Sequence, residues 1–271
     1  MVSIARCGYA TFIRNWIVTL RAYPWSFFIS GLMGGVFTVA LAYFTFHLLA
    51  SGQLGHEFTS YAGTSDYMSY IILGTAILTF SVNIMLGISR SMISERREGT
   101  LESLLLAPAK RGPYFSGVTA QWALNSLVET AVMLLVTWPL GLNLSRINIE
   151  TLMIAAPVAL IGLFGMSTLL GAIMLATGDT YISQNTLFAT MTLVCGFVFP
   201  PNYLPLPLQW LGAALPVSGA LRLLRAALLN GTAPMVVMHD IVVYTLLGLV
   251  YAIAGLTLMR WAERRALEGA R

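Results

Sequence analysis

The sequence predicts an all-α membrane protein, and three observations lead to this prediction. Hydrophobic residues make up 57% of the 271 residues and charged residues only 10%, against about 25% charged residues in a soluble domain. The apolar residues fall in continuous runs of the length that an α-helix needs to cross a bilayer. The runs lack the strict alternation of β-barrel strands, and a helix satisfies its own backbone polar groups in lipid.

Six apolar runs are long enough to span the membrane. We expect transmembrane helices at about 25–50, 67–93, 114–142, 151–176, 181–200 and 236–261. The sequence shows no linker, internal repeat or low-complexity tract. Residues 1–271 are therefore expected to form a single transmembrane domain.

The distribution of basic residues predicts the orientation. If the N-terminus is cytoplasmic, twelve of the fifteen Lys and Arg residues lie inside, and only Arg146, Arg222 and Arg225 lie outside. The positive-inside rule favours this arrangement. We expect both termini in the cytoplasm and the chain in the cell (inner or plasma) membrane.

Residues 4–21 predict an amphipathic helix in the cytoplasmic interface. Arg14 and Arg21 share one face, where we expect them to meet anionic headgroups. The alternative is a frayed N-terminal tail. The apolar residues fall at helical spacing on another face: Tyr9, Ile13, Trp16, Ile17 and Leu20.

A charged segment, residues 94–111, separates the second and third apolar runs. We expect the second helix to leave the membrane through Arg97 and Gly99 to break it, because glycine accepts a sharp turn. Thr100 is suited to N-cap a new short helix, with Glu102 in its first turn. Pro108 would end that helix.

Three leucines, Leu101, Leu104 and Leu105, fall in register on this short helix. An apolar face on a short cytosolic helix favours docking of a partner protein. The alternative is a solvated loop between two spans.

The segment 199–231 is apolar but interrupted by prolines. It predicts a pair of short re-entrant or interfacial helices on the outer side, since irregular backbone is tolerated where protein or a cavity covers it. Arg222 and Arg225 would share one face, toward water or headgroups. The alternative is a folded outer loop without a transport role. The interrupting prolines are Pro200, Pro201, Pro205, Pro207 and Pro216.

Glu129 lies near the middle of the third predicted span. A central acid costs about 2.5–3.5 kcal/mol on insertion scales, so it should face the bundle or a wet cavity. Asn125, Ser126 and Thr130 are the neighbours expected to satisfy it. Two interpretations stay open: a conduit-lining or gating group, and a helix-packing hydrogen bond or a neutral acid.

Several sequence signals of chemistry are missing. The only lysine, Lys110, is not in a phosphate-binding loop. We find no nucleophile elbow, no dinucleotide turn and no metal-ligand spacing among the three histidines. We expect no enzymatic activity, cofactor, metal or nucleic-acid partner for this chain, and two free thiols at Cys7 and Cys195.

Two motifs resemble the ABC-2-type transporter permeases. One is Glu95-x-x-x-Gly99-Thr100-Leu101-Glu102-x-Leu104-Leu105-x-x-Pro108-x-x-Arg111. The other is Phe199-Pro200-Pro201-x-x-Leu204-Pro205, followed by Leu215-Pro216, Leu224-Arg225 and Gly231. The resemblance implies six spans, an amphipathic N-terminal helix and a cytoplasmic coupling helix that meets an ATPase. It assigns to that helix Glu95, Gly99, Leu101, Glu102, Leu104 and Leu105.

The resemblance also implies a function. Family members export drugs, lipids or glycans, and each transporter pairs two membrane subunits with two ATP-binding subunits that carry ATP and Mg. We expect the permease subunit of an ATP-driven exporter, a homodimer in contact with membrane lipids, with an amphipathic or lipid-linked substrate. A secondary transporter and a non-transporting scaffold are the alternatives. A secondary transporter should show coupled ionisable groups near the midplane, where Glu129 stands alone.

Overall fold

The computed structural model describes residues 4–22, 26–49, 56–106, 111–177 and 181–268, and the regular secondary structure in these ranges is helical. A π-helical turn, Thr45–Leu49, extends the second helix, and 3-10 turns lie at Trp138–Leu140 and Pro201–Tyr203. The α-helices in these ranges are α1 (Ile4–Ala22), α2 (Ser26–Phe44), α3 (His56–Ala62), α4 (Tyr67–Arg97), α5 (Leu101–Leu106), α6 (Arg111–Thr137), α7 (Ile149–Thr177), α8 (Tyr181–Val194), α9 (Leu206–Ala213), α10 (Pro216–Leu228) and α11 (Met238–Glu268).

Four of the described helices, α4, α6, α7 and α11, are long and apolar enough to cross a membrane. They match the second, third, fourth and sixth predicted spans, which confirms an all-helical, multi-pass membrane protein. The pair α9 and α10, bent by 83°, makes a fifth if it is counted as one span. The count of six stays a prediction, because the window 25–50 includes residues outside the described ranges and α8 has only 14 residues.

Helix α8 is shorter than the predicted span 181–200 for a local reason. The helix ends at Val194, and the following backbone turns at Gly196, which has a φ of +79°. Glycine adopts this left-handed conformation without the penalty that a Cβ brings. The apolar residues after Gly196 therefore belong to irregular backbone and not to a longer helix.

Helix α4 forms the centre of the bundle. In its most apolar 18-residue window 83% of the residues are buried, against 28% in the windows of α6 and α11. Helices α2, α6, α7 and α10 all pack against α4. The apolar side chains that α6 and α11 turn outward are therefore available to lipid or to another protein chain.

Helices α7 and α11 form the most extensive helix pair of the described chain, and small residues bring them together. A Cβ added to Gly165 would lie 2.7 Å from both the Ala252 nitrogen and the Gly248 oxygen. Such close approach of backbones is typical of membrane helices with small residues at their contact.

Both ends of α4 carry caps. At the first turn the Asp66 carboxylate accepts a hydrogen bond from the Ser69 amide at 3.0 Å. At the last turn the Thr100 amide donates to the Glu95 carbonyl at 2.9 Å, and the Gly99 amide donates to the Arg96 carbonyl at 3.3 Å. These two bonds, with Gly99 at a φ of +71°, form a Schellman motif. The predicted helix end at Arg97 and the break at Gly99 are confirmed.

Candidate functional site

The candidate site is the junction between α4 and α6, where α5 lies. Three residues, Glu98, Gly99 and Thr100, connect α4 to α5, so the orientation of α5 follows directly from the end of α4. The Thr100 carbonyl accepts a hydrogen bond from the Leu104 amide at 3.0 Å and thereby starts the new helix. The predicted short helix therefore exists, with six residues and fewer than two turns, between two long helices.

Glu95 ties three elements together at this junction. The residue is only 4% exposed although it lies in the last turn of α4. Oε1 accepts a hydrogen bond from Arg14 Nη1 of α1 at 2.5 Å, and Oε2 accepts one from the Thr100 hydroxyl. The carboxylate thus fixes α1 and the start of α5 to the end of α4.

The position of Arg14 corrects one expectation from the sequence. We expected Arg14 to meet lipid headgroups, but it pairs with Glu95, and this hydrogen bond raises the pKa of Arg14 above its ordinary value. The apolar residues Tyr9, Ile17 and Leu20 of α1 do remain exposed, as an interfacial helix requires. Helical spacing predicts the face on which each residue lies but not its partner.

The side chains of α5 divide between two surroundings. Leu101 and Leu104 are partly buried, and Leu106 is 73% exposed. Two of the three leucines predicted to face a partner therefore pack partly on this chain's own bundle. The side chains of Glu102 and Leu105, and residue Pro108, lie outside the described part of the structure. The cluster beneath Leu101 and Leu104 consists of Ile88, Met92, Tyr114, Phe115, Val118, Ala172 and Met259.

Thr100 also differs from its expected role. Its hydroxyl donates to the Glu95 carboxylate and, at 3.3 Å, to the Glu95 carbonyl. The side chain therefore bonds to α4, whereas the sequence predicts an N-cap for the amides of α5. The result is a stiffer connection, because the turn is bonded both through backbone and through a side chain.

Glu129 of α6 is 2% exposed and faces α4. Its Oε2 accepts a hydrogen bond from Asn83 Nδ2 at 2.8 Å. Arg90 Nη1 donates to Asn83 Oδ1 at 3.3 Å, and its guanidinium lies 5.3 Å from the centre of the Trp122 ring. The acid therefore faces the bundle, as expected, within a polar row that runs two turns along α4.

The neighbours predicted to satisfy Glu129 do not do so. The Ser126 hydroxyl donates to the Phe80 carbonyl at 3.3 Å, and Asn125 Nδ2 and Thr130 Oγ1 are buried without a partner. The correct partner, Asn83, comes from another helix. A sequence signal for it existed, because Asn83 and Arg90 are seven residues apart and share one face of α4.

The polar row reaches the junction. Arg90 and Glu95 line the same cavity, of about 200 Å³, between α1, α4 and α6. Arg14 and Trp122 line it as well. Arg90, one of the basic residues predicted on the cytoplasmic side, thus lies between the buried acid and the end of α4.

The outer segment folds as two short helices joined by a sharp bend of 83°. Pro200 and Pro201 lead into the 3-10 turn, Pro205 precedes α9, and Pro216 begins α10. Each proline stands at the start of an element, where its missing N–H leaves no intrahelical bond unmade. A helix pair is therefore present, and its re-entrant character stays a prediction.

Arg222 and Arg225 do not share one environment, contrary to the expectation from their spacing. Arg225 donates to the carbonyls of Gly196 and Phe197, both at 2.7 Å, and its guanidinium lies 3.7 Å from the Tyr70 ring. Arg222 is exposed, with its Nη1 3.9 Å from Asp240 Oδ2. Arg225 thus holds the irregular backbone after α8 against α4, and Arg222 reaches outward.

Comparison with known proteins decides the family. A family described as ABC-2 type transporter matches residues 9–229, which extend from α1 through α10. The chain belongs to the ABC-2 type transporter family. Members are membrane permease subunits of transporters, and the junction around α5 lies inside the matched range. Among curated proteins the search found no match to this ABC-2 chain.

Proposed function

We propose that the chain is the permease subunit of an ATP-driven exporter, with a separate ATP-binding subunit docked at α5. The observation that supports this proposal is that Glu95 of α4 accepts hydrogen bonds both from Arg14 of α1 and from Thr100, at the start of α5. A force on α5 passes through Gly99 and Thr100 into α4, which is the central helix of the bundle. ATP and Mg are held by the partner in this proposal.

The exposed side of α5 is the proposed docking surface. Leu106 is 73% exposed and Ser103 is also exposed, while Leu101 and Leu104 anchor the helix from below. Burial of one leucine side chain stabilises a contact by about 1.5–3 kcal/mol. By family resemblance, Glu102 and Leu105 belong to the same contact. Gly99 sets the direction in which this surface points.

Both ends of the described chain support a common cytoplasmic side. Arg14 of α1 contacts Glu95, and Met259 near the end of α11 packs in the cluster below α5. The N-terminal helix, the C-terminal part of α11 and α5 therefore lie at one end of the bundle. We place this end in the cytoplasm of a cell with the chain in its inner or plasma membrane, as the basic residues predict.

We further propose a homodimer that moves an amphipathic or lipid-linked substrate outward. The largely exposed apolar faces of α6 and α11 support contact with lipid and with a second copy. A symmetric pair is the simplest arrangement of identical subunits. Glu129 is proposed to act at the inner wall of the path, through its contact with Asn83.

The test compares two serine substitutions of exposed leucines. Leu106→Ser should reduce ATP-binding subunit recovered with the tagged chain about tenfold to a hundredfold. Leu206→Ser, at the opposite end of the bundle, is the matched control and should change nothing. Transport in membrane vesicles should fall in parallel with the ATPase.

Two outcomes favour the other classes of protein. Substrate movement driven by an ion gradient, with no dependence on ATP, indicates a secondary transporter. A chain that brings down no ATPase and moves no substrate is a scaffold. Normal ATPase recovery and transport for Leu106→Ser contradict docking at α5.

A further inference from the structure

A cavity of about 480 Å³ opens at the end of the bundle opposite α5. Tyr70, in the first turn of α4, contributes to its wall, and Glu95 lies 25 residues further along the same helix. At 1.5 Å per residue the cavity is about 37 Å from the coupling junction. It is therefore separate from the surface proposed for the ATPase.

The charged groups that line this cavity have one sign. Two arginines, Arg222 and Arg225, belong to the lining, and no carboxylate of the described chain does. Amides add donors and acceptors at Asn202, Gln209 and Asn230. A cavity with two cations and no anion carries a positive potential, which favours a negatively charged ligand.

The charge of Arg225 is not neutralised by an acid within the described residues. Its guanidinium donates to the carbonyls of Gly196, Phe197 and Tyr70 and stacks on the Tyr70 ring. Carbonyl oxygens and a ring face satisfy its hydrogen bonds and part of its charge, but none of them carries a negative charge. The floor of the cavity therefore remains cationic.

Arg222 provides a second charge, and its side chain is exposed to solvent. Its ion pair with the partly exposed Asp240 has a long separation of 3.9 Å. An exposed pair of this kind contributes little to stability, so the side chain is free to engage another anion. Arg225 therefore supplies fixed charge and Arg222 an adaptable donor.

The remaining wall is apolar and aromatic. Trp210 and Tyr61 contribute exposed rings to the lining, with Trp210 71% exposed, and Val194 and Leu221 are buried. An exposed tryptophan beside a cavity of this size is a surface on which an apolar body packs. We propose that the cavity binds an acidic amphiphile, a molecule with a phosphate or carboxylate group next to an apolar portion.

Binding is measured on the purified chain without any ATPase, so the result does not depend on the proposed function. The substitution Ala213→Cys, in a background with Cys7→Ser and Cys195→Ser, carries an environment-sensitive fluorophore at the cavity wall. The probes are dihexanoyl phosphatidic acid, dihexanoyl phosphatidylcholine and inorganic phosphate. The acidic lipid should give a saturable signal and bind about tenfold or more tightly than either other probe.

Two variants locate the effect. Arg222→Gln should weaken binding of the acidic lipid about tenfold, and Arg222→Lys should retain much of it. Arg146→Gln, which removes another exposed arginine that does not line the cavity, should leave binding unchanged. Arg225 is not substituted, because it holds the backbone at Gly196 and Phe197.

Three results overturn the proposal. Equal binding of phosphatidylcholine removes the need for an acid, and equal binding of inorganic phosphate removes the need for an apolar portion. The same loss in Arg146→Gln and Arg222→Gln assigns the effect to general surface charge and not to the cavity.

Discussion

The ion pair between Arg14 and Glu95 gives a prediction with an internal check. The Arg14 side chain is 47% exposed and the Glu95 side chain 6%. Removing the acid leaves an arginine that water can reach, and removing the arginine leaves a carboxylate that water cannot reach. Arg14→Gln should therefore destabilise the protein more than Glu95→Gln.

The magnitudes follow from these exposures. Exposed pairs contribute about 0.2–1 kcal/mol, and an unpaired buried charge costs about 3–5 kcal/mol. For Glu95→Gln we expect a loss of about 1 kcal/mol, because the glutamine oxygen still accepts from Thr100. For Arg14→Gln we expect about 2 kcal/mol, less than the full cost of a stranded charge, because the Thr100 hydroxyl still donates to the carboxylate. In a background with Glu95→Gln, Arg14→Gln should cost less than about 0.5 kcal/mol, since no charge remains to be stranded.

The assay is the free energy of unfolding in mixed micelles for the four members of this cycle, under conditions where unfolding is reversible. Arg21→Gln, an exposed arginine on the same helix, is the control and should change stability by less than about 0.5 kcal/mol. The reasoning fails if Arg14→Gln costs the same with and without Glu95, or if Glu95→Gln is the more harmful single change.

Three other predictions test the remaining features. Gly99→Val should lower the free energy of unfolding by about 1–3 kcal/mol and uncouple transport from ATP, because a β-branched residue resists a φ of +71°. Gly99→Asn should stay coupled, because asparagine adopts a positive φ more readily. Equal activity of the two variants contradicts the role of the turn. Glu129→Leu should destabilise the protein by about 1–3 kcal/mol because it leaves Asn83 without its acceptor, and Glu129→Gln should keep the 2.8 Å contact. Reduced transport in a stable Glu129→Gln protein would assign a functional role to the charge. Full activity of Glu129→Leu would exclude such a role. A cysteine in place of Arg146 should react with an impermeant thiol reagent added outside intact cells, and a cysteine in place of Arg97 should not. Labelling at position 97 would show that the predicted orientation is wrong.

The sequence predicted the features that one residue imposes locally. Gly99 ends α4 because its backbone conformation is available to glycine at little cost. Glu129 is buried inside the bundle because lipid would be costlier than any protein contact. The prolines of the outer segment stand at element starts for the same local reason. Such features need no knowledge of the tertiary contacts.

The partners of these residues were not predictable in the same way. Asn83 and Arg14 meet their acids across 46 and 81 residues of sequence. Spacing assigns a residue to a helix face, but it does not say which helix that face meets. Arg222 and Arg225 show the same limit, because a three-residue spacing put them on one face and the packing separated their surroundings.

Contacts at both ends of α4 fix the rotation and the axial position of this helix relative to its neighbours. Tyr70 is bound to Arg225 near one end and Glu95 to Arg14 at the other. One inserted residue between them would rotate the distal end by about 100° and move it about 1.5 Å, so only one of the two contacts could form. Seven inserted residues would nearly restore the phase but lengthen the helix by about 10 Å. The number of residues in α4 between Tyr70 and Glu95 is therefore constrained as strictly as the identity of the residues at its ends. Insertions and deletions are to be expected in the loops instead.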